Sequence, residues 1–256
     1  MVELWRQGKM CDVEVTAGSR SVRAHSLVLA SASVFFRTFF TSSVGPGKSS
    51  VDSGLSPTLL EPLLDFIYTG ACSVDEALLV EVLEGAERLG VPALLDEVVK
   101  AIIQRLSVDS CVGAWSLALR FSIAALEQAA YKETRKCVIK LGASSLGALS
   151  AEQMRRLLED DRLPVKEEEA FQALVRWHGA QSPPPSSDTM APLVACIRFK
   201  LLPGAFVRDE VKTSQLMASR QLADVLIDAL VENAPQPRTG RIPMGVRLIH
   251  LPVRRD

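Results

Sequence analysis

The chain has 256 residues, enough for one large domain or two small ones with packed cores. Its 29 Lys and Arg residues against 30 Asp and Glu leave a net charge of -1, which excludes the strongly basic surface of a typical nucleic-acid-binding protein. No apolar run reaches the ~20 residues that span a bilayer, and the charged N-terminus is unlike a signal peptide. We therefore expect an intracellular protein, cytoplasmic or nuclear, with neither nucleic acid nor a membrane among its partners.

The composition favours packed helices over a β-sandwich. Hydrophobic residues make up 48% of the chain but aromatic residues only 5%, so the core is built mainly from Leu, Val and Ala. The five cysteines are widely spaced and contain no CxxC pair, which favours buried free thiols and leaves pairing in space open. They are Cys11, Cys72, Cys111, Cys137 and Cys196.

The first elements along the chain are a hairpin and two short helices. CDVEVTA, from Cys11 to Ala17, alternates apolar and polar residues, and a GS turn leads to RSVRA, which predicts two antiparallel strands. The stretch HSLVLASASVFFRTFFTSSVGPG then predicts two short helices followed by an open loop. The second helix carries four phenylalanines on two of its sides, so we expect one side to fill the core and the other to be left for a partner. They are Phe35, Phe36, Phe39 and Phe40.

A weak strand and two helices follow. SSVDSGLS is the strand candidate, and SPTLLEPLLDFIYTG predicts a helix capped by Ser56, with Pro57 at its first position and Gly70 at its end. SVDEALLVEVLEGAERLG has apolar residues three and four apart and predicts an amphipathic helix that Gly90 closes.

From about Ser107 onward the pattern is helix after helix, typical of an α-helical hairpin array. SPPPSSD predicts a flexible excursion between two of these helices. The run Glu167 to Glu169 indicates a helix N-terminus, where negative charge is favoured, rather than a metal site or a general base. We expect Trp177 on that helix to belong to the core. The helical domain is predicted to stop at Pro235.

These motifs, taken in order, resemble a BTB (POZ) domain followed by a BACK domain, as in the kelch-like adaptors of cullin-3 ubiquitin ligases. The resemblance is carried by CDVEV with RAHSLVLASASVFFRTFF, by LLDFIYTG, by VDEALLVEVLEGAERLGVPAL, by LSVDSCVGAWSLALRF and by EEEAFQALVRW. It implies an α+β domain over residues 1–106, with a small sheet and flanking helices, an all-α domain over 107–234, and a Pro-rich linker and tail over 235–256.

The resemblance implies a non-catalytic adaptor without a cofactor, whose partners are the cullin-3 N-terminal domain, a second copy of the chain and an unknown protein substrate. By position, the cullin-binding candidates are Phe40, Val44, Pro46 and Tyr68, with the outer face of the 74–89 helix and residues 107–121 extending the surface. Core packing is the alternative reading of Phe40 and Tyr68.

Three departures from the family pattern bear on function. Cullin-binding relatives have a hydrophobic residue, any residue and then Glu in the loop where this chain has Val44, Gly45 and Pro46. Losing one polar contact costs on the order of 1 to 3 kcal/mol of binding free energy, so cullin binding is expected to be weakened. The alternative is a homodimeric scaffold that does not bind cullin. MVELWRQGKM matches only the last turns of the family's dimerisation helix, which predicts a weaker dimer through Leu4 and Trp5. No kelch repeat is present.

Two residues near the start are predicted to be structural. A carboxylate buried among apolar strands needs a charged or donor partner, so we expect Asp12, together with His25, to stabilise the fold rather than to catalyse. The other histidines, His178 and His250, lie in no catalytic or metal-binding motif, and no phosphate-binding loop occurs. The sequence therefore predicts that the chain is not an enzyme.

Overall fold

The structure is a computed structural model that describes residues 1–42 and 49–231. The chain divides into two compact units, Met1–Arg105 and a second unit that begins at Leu106.

The first unit combines a small sheet with six α-helices among its described residues. The strands are β1 (Val13–Ala17), β2 (Arg20–Ala24) and β3 (Ser50–Asp52). The helices are α1 (Val2–Arg6), α2 (Ser26–Ala32), α3 (Val34–Thr41), α4 (Leu60–Thr69), α5 (Leu79–Leu89), which a 3₁₀ turn over Glu76–Leu78 precedes, and α6 (Pro92–Gln104).

The predicted hairpin and the weak third strand are both confirmed. β1 lies in the middle of the sheet, antiparallel to β2 and parallel to β3. Ala17 pairs with Arg20, so the connection is a two-residue turn, and Gly18 takes the positive φ of +57° that such a turn requires. The alternating pattern of β1 is also realised, because Val13, Val15 and Ala17 are buried.

The start of α4 differs from the prediction. Ser56 and Pro57 were expected to cap and open the helix, but the helix begins only at Leu60. The Ser56 hydroxyl lies 3.0 Å from the hydroxyl of Thr58, and residues 57–59 form a turn instead. The predicted end is confirmed, since Gly70 adopts the left-handed conformation with φ +75°.

The second unit contains no strand among its described residues, as predicted. Its helices are α7 (Cys111–Phe121), α8 (Ala124–Cys137), α9 (Ala143–Gly147), α10 (Ala151–Glu159), α11 (Glu167–Ala180), α12 (Ser187–Ala195), α13 (Gly204–Phe206) and α14 (Arg220–Val231). Short 3₁₀ turns cover Val138–Lys140, Phe199–Leu201 and Gln215–Ala218, and one π-helical turn covers Val207–Val211. The architecture is thus an α+β unit followed by an all-α unit.

The acidic run Glu167 to Glu169 forms the first turn of α11. The Glu169 carboxylate accepts the backbone N–H of Lys166, and the buried Glu167 accepts the backbone N–H of Arg198. Both carboxylates therefore satisfy backbone donors. Trp177, on the same helix, is buried and donates its indole N–H to the Leu149 carbonyl at 2.9 Å, which confirms that it belongs to the core.

The predicted Pro-rich excursion, residues 182–188, is shorter in the structure, because α12 already begins at Ser187. The Ser186 hydroxyl accepts the Thr189 backbone N–H and caps the helix, so only the residues up to 186 connect α11 to α12. The predicted end of the helical domain at Pro235 and the tail that follows it lie outside the described residues.

Candidate partner-docking surface

Helix α3, which carries the four phenylalanines, is fixed at its N-terminus by the end of α5. The buried Ser33 hydroxyl accepts the backbone N–H of Phe36 and donates to the Leu89 carbonyl at 2.5 Å. The Val34 N–H donates to the Gly90 carbonyl at 3.0 Å. Gly90 has φ +59°, and a Cβ there would lie 2.9 Å from the Cβ of Val34, so the approach requires glycine. These contacts set the direction of α3.

The aromatic side chains divide as the sequence predicts. Phe36 is fully buried, whereas Phe35, Phe39 and Phe40 are half-buried. Phe40 stacks on Phe36 with ring centroids 6.3 Å apart, and it meets Phe39 edge to face at 5.4 Å. Phe40 therefore packs on the buried ring of Phe36, while part of the Phe40 ring stays exposed. Val44 and Pro46, the other two candidates near this helix, lie outside the described residues.

Tyr68, on α4, is held by hydrogen bonds to His25. The Tyr68 oxygen accepts the His25 backbone N–H at 2.8 Å and lies 2.8 Å from Nδ1 of the same residue. His25 Nε2 lies 3.1 Å from the Lys9 carbonyl, which can only accept. The network is satisfied when Nε2–H donates to that carbonyl and the Tyr68 hydroxyl donates to Nδ1. Burial raises the pKa of Tyr68 to about 12, so its hydroxyl keeps this proton at neutral pH.

The expected burial of Asp12 is wrong, because the residue is exposed. Its carboxylate accepts the Ser26 backbone N–H at 2.7 Å and the Ser26 hydroxyl at 2.6 Å, at the start of α2. Desolvation opposes ionisation, but the hydrogen bonds from Ser26 outweigh it and hold the pKa of Asp12 below its ordinary value. His25 is the buried member of the two. Asp12 thus secures the first turn of a helix at the surface.

The structure brings together two candidates that the sequence assigned to different interfaces. Trp5, a candidate for self-association, stacks on Tyr68, a candidate for cullin binding, with centroids 4.3 Å apart and planes 3° from parallel. Leu4 and Trp5 are both half-buried. No feature of the sequence could have indicated this pair, because neither residue belongs to a motif that predicts the other.

Helix α5 presents an acidic outer face. Val82, Leu83, Ala86 and Leu89 are buried on its inner side. Val80, Glu81 and Glu87 are exposed on the outer side. This is the amphipathic division that the residue spacing predicts, and it leaves the outer face available to a partner.

Two cysteines lie close together in the second unit. The Sγ atoms of Cys111 and Cys137 lie 3.6 Å apart in the core of the second unit, a proximity that the sequence left open. Burial raises the pKa of the Cys137 thiol to about 12, the opposite of what nucleophilic catalysis needs. Within residues 1–42 and 49–231, no group of His, Cys, Asp and Glu side chains could hold a metal ion. No helix in these ranges is long and apolar enough to cross a bilayer.

Comparison with known proteins identifies both units. The family model for the BTB/POZ domain matches residues 1–106, and the model for the BACK domain (BTB And C-terminal Kelch) matches residues 111–212. This chain is a BTB–BACK protein. Its BTB unit holds the α3 and Trp5–Tyr68 features described above, and its BACK unit holds the helical array.

Similar proteins carry Kelch-like names. Human Kelch-like protein 40 is 29% identical over 219 residues, which are 83% of this chain and 35% of that protein. Bovine Kelch-like protein 21 is 32% identical over 220 residues, 84% of this chain and 37% of that protein. The BTB–BACK chain therefore spans little more than a third of the length of these relatives.

Proposed function

We propose that this BTB–BACK protein is a non-catalytic adaptor that recruits a protein substrate to a cullin-3 RING ubiquitin ligase. The observation that carries the proposal is the succession of a BTB domain and a BACK domain, the arrangement through which kelch-like adaptors join a cullin to a substrate. The adaptor performs no chemistry. It acts by position, inside the cell, holding the substrate near the catalytic part of the ligase.

The geometry of the BTB unit supports a docking surface around α3. The helix is fixed at its N-terminus by Ser33 and Gly90, and Phe40 is supported by a buried ring yet half accessible. A rigid, partly exposed aromatic side chain is the kind of group that dominates protein interfaces. We propose that Phe40, Val44, Pro46 and Tyr68 contact the cullin, with the outer face of α5 beside them.

We also propose the division into a BTB domain over 1–106, a BACK domain over 107–234 and a linker and tail over 235–256. Leu4 and Trp5 on α1 are the proposed contacts of a two-fold homodimer, because this helix lies at the surface and buries none of its own residues. Asp12 and His25 keep a structural role in the proposal.

A second function is favoured by one specific observation. The Val44-Gly45-Pro46 stretch lacks the carboxylate that cullin-binding relatives have in this loop. A homodimeric scaffold that does not bind cullin needs no such group. The two functions differ in one measurable property, the affinity for the cullin-3 N-terminal domain.

Calorimetric titration of the purified chain with the cullin-3 N-terminal domain tests the proposal. We expect a dissociation constant in the micromolar range or below, weakened about tenfold or more by Phe40→Ala and by Val44→Asp. Ile227→Asp places the same charge on an exposed apolar site of the BACK unit and serves as the matched control. It should leave binding unchanged. A folded wild-type chain that shows no binding would refute the adaptor and favour the scaffold.

A further inference from the structure

The polar atoms of Tyr68 are already used within the BTB unit. Its oxygen accepts one hydrogen bond from the His25 backbone and is paired with the His25 ring. The proton of the Tyr68 hydroxyl and one of its oxygen lone pairs are therefore engaged within the unit, and the surface that Tyr68 offers a partner is chiefly its ring. One face of that ring is covered by Trp5, which lies parallel to it at a centroid distance of 4.3 Å.

Trp5 lies on a helix that buries none of its own residues. The stack on Tyr68 joins Trp5 to the rest of the unit, and the Lys9 carbonyl lies 3.1 Å from His25 Nε2 and 3.8 Å from Cys11 Sγ. An aromatic pair of this kind changes an equilibrium by roughly 2- to 12-fold, so a partner can displace it.

We propose that Trp5 is a displaceable cover on the docking surface, which a partner must lift from the ring of Tyr68 before it packs there. The partner is the one in the proposed function, on which this inference rests. Because the covered ring face is apolar and the hydroxyl is occupied, the group that replaces Trp5 is an apolar or aromatic side chain. Trp5 is thus a positioning residue that sets the affinity of the surface without forming part of the final contact.

Titration with the cullin-3 N-terminal domain tests the cover directly. Trp5→Ala removes the stacked ring, and we expect it to bind roughly 2- to 12-fold more tightly than the wild type. Val2→Ala is the matched control, because it truncates another half-buried apolar residue of α1 and leaves the stack in place. It should bind as the wild type does.

Each result separates the cover from the adaptor function. Unchanged or weaker binding of Trp5→Ala, with a wild type that binds, overturns the cover and leaves the adaptor intact. An equal gain in Val2→Ala also overturns it, because the effect then does not belong to the stacked ring. Absence of binding in a folded wild type overturns the adaptor, and with it the cover, which rests on the adaptor.

A spectroscopic measurement follows the ring itself. The chain has three tryptophans, so labelling with 5-fluorotryptophan gives three ¹⁹F resonances, and Trp5→Phe identifies the one from Trp5. Tyr68→Ala gives the position of that resonance without the stack. We expect unlabelled cullin-3 domain to move the Trp5 resonance toward that position. A Trp5 resonance that stays in place at saturation, in a chain that binds, contradicts the proposal.

Discussion

Each unit contains one tyrosine whose hydroxyl joins a polar network, and the two networks differ in how completely they are enclosed. In the BACK unit, the Tyr131 hydroxyl donates to Asp160 at 2.6 Å, and the same carboxylate accepts Arg135 at 2.9 Å and the Arg162 backbone N–H at 2.8 Å. In the BTB unit, Tyr68 joins a histidine and a backbone N–H, and its ring lies under a half-buried tryptophan.

The difference sets a network enclosed within the BACK unit against one that lies in the proposed docking surface of the BTB unit. The side chain of Asp160 is 7% exposed, and its donors come from helix α8 and from the loop in which Arg162 lies, so removing the carboxylate takes the acceptor from a largely buried guanidinium. The BTB network joins the Tyr68 hydroxyl to His25 and a backbone N–H, and it reaches the surface through one aromatic stack. It can lose its outermost member at low cost, which is what a docking surface requires.

The comparison is tested most directly by removing the Asp160 carboxylate. Asp160→Ala leaves the Tyr131 hydroxyl and the Arg135 guanidinium without their acceptor, and we expect it to lower the free energy of unfolding of the BACK unit by about 3 to 5 kcal/mol. Urea unfolding followed by circular dichroism measures the change.

Arg155→Ala is the control for that change, because Arg155 forms only exposed ion pairs with Glu152 and Glu159 and should cost under about 1 kcal/mol. Equal losses of unfolding free energy in Asp160→Ala and Arg155→Ala would show that the enclosed network stabilises the BACK unit no more than an exposed ion pair does.

The pH dependence of the same network gives a second test. Burial opposes ionisation of Asp160, but the hydrogen bonds from Tyr131, Arg162 and Arg135 hold its pKa far below the ordinary value. Because the folded pKa is lower than the unfolded one, the stabilisation is complete above the unfolded pKa, near 4, and is lost as the pH falls below it. The stability difference between the wild type and Asp160→Asn should be constant from pH 7 to about pH 5 and shrink below pH 4.

Removing the Tyr68 hydroxyl should lower the stability of its unit by less than removing the Asp160 carboxylate lowers that of the BACK unit. Tyr68→Phe keeps the ring for Trp5 but leaves the His25 backbone N–H and Nδ1 without a partner, and we expect a loss of about 1 to 3 kcal/mol in the BTB unit. Trp5→Ala, which removes the stack, should cost only about 0.5 to 1.5 kcal/mol. Hydrogen exchange of α2 and α4 reports on this unit alone. A larger effect from Trp5→Ala than from Tyr68→Phe would reverse the order that the structure implies.

The titration of the tyrosines sharpens the comparison without perturbing the fold. Tyr68 and Tyr131 are the only tyrosines of the chain, and burial raises the pKa of both, that of Tyr68 to about 12. At pH 11 the native chain should therefore show little phenolate absorbance at 295 nm, whereas the chain unfolded in guanidinium should be mostly ionised. Tyr131→Phe isolates Tyr68. A native midpoint near 10 in that variant would show that the Tyr68 hydroxyl is not held as described.

The smallest expected effect concerns the thiols. Cys111 and Cys137 are buried, whereas Cys72 and Cys196 are half-exposed, so iodoacetamide should modify Cys72 and Cys196 first because it can reach them. Mass spectrometry of the peptides over time measures the order. Early labelling of Cys137 would show that the α7–α8 hairpin opens more readily than its packing suggests.

Much of the fold could be read from the sequence, because its signals are local. The alternation in CDVEVTA, the glycines that end α4 and α5, and the acidic first turn of α11 each act within a few residues, and each is realised in the structure. The error at the start of α4 has the same origin. Ser56 and Pro57 carry a helix-start signal, but the chain turns once more before the helix begins at Leu60.

The sequence by itself determined the order of the elements, the α+β and all-α classes and the resemblance that led to the BTB and BACK domains. Only the tertiary structure decided which side chains meet across long separations. It placed Trp5 on Tyr68, Ser33 against Leu89, and Asp160 beside Tyr131 and Arg135, and it left Asp12 at the surface. Periodicity and capping report the neighbourhood of a residue along the chain. Contacts between distant residues depend on how whole helices pack, and that is where the candidate docking surface and its cover arise.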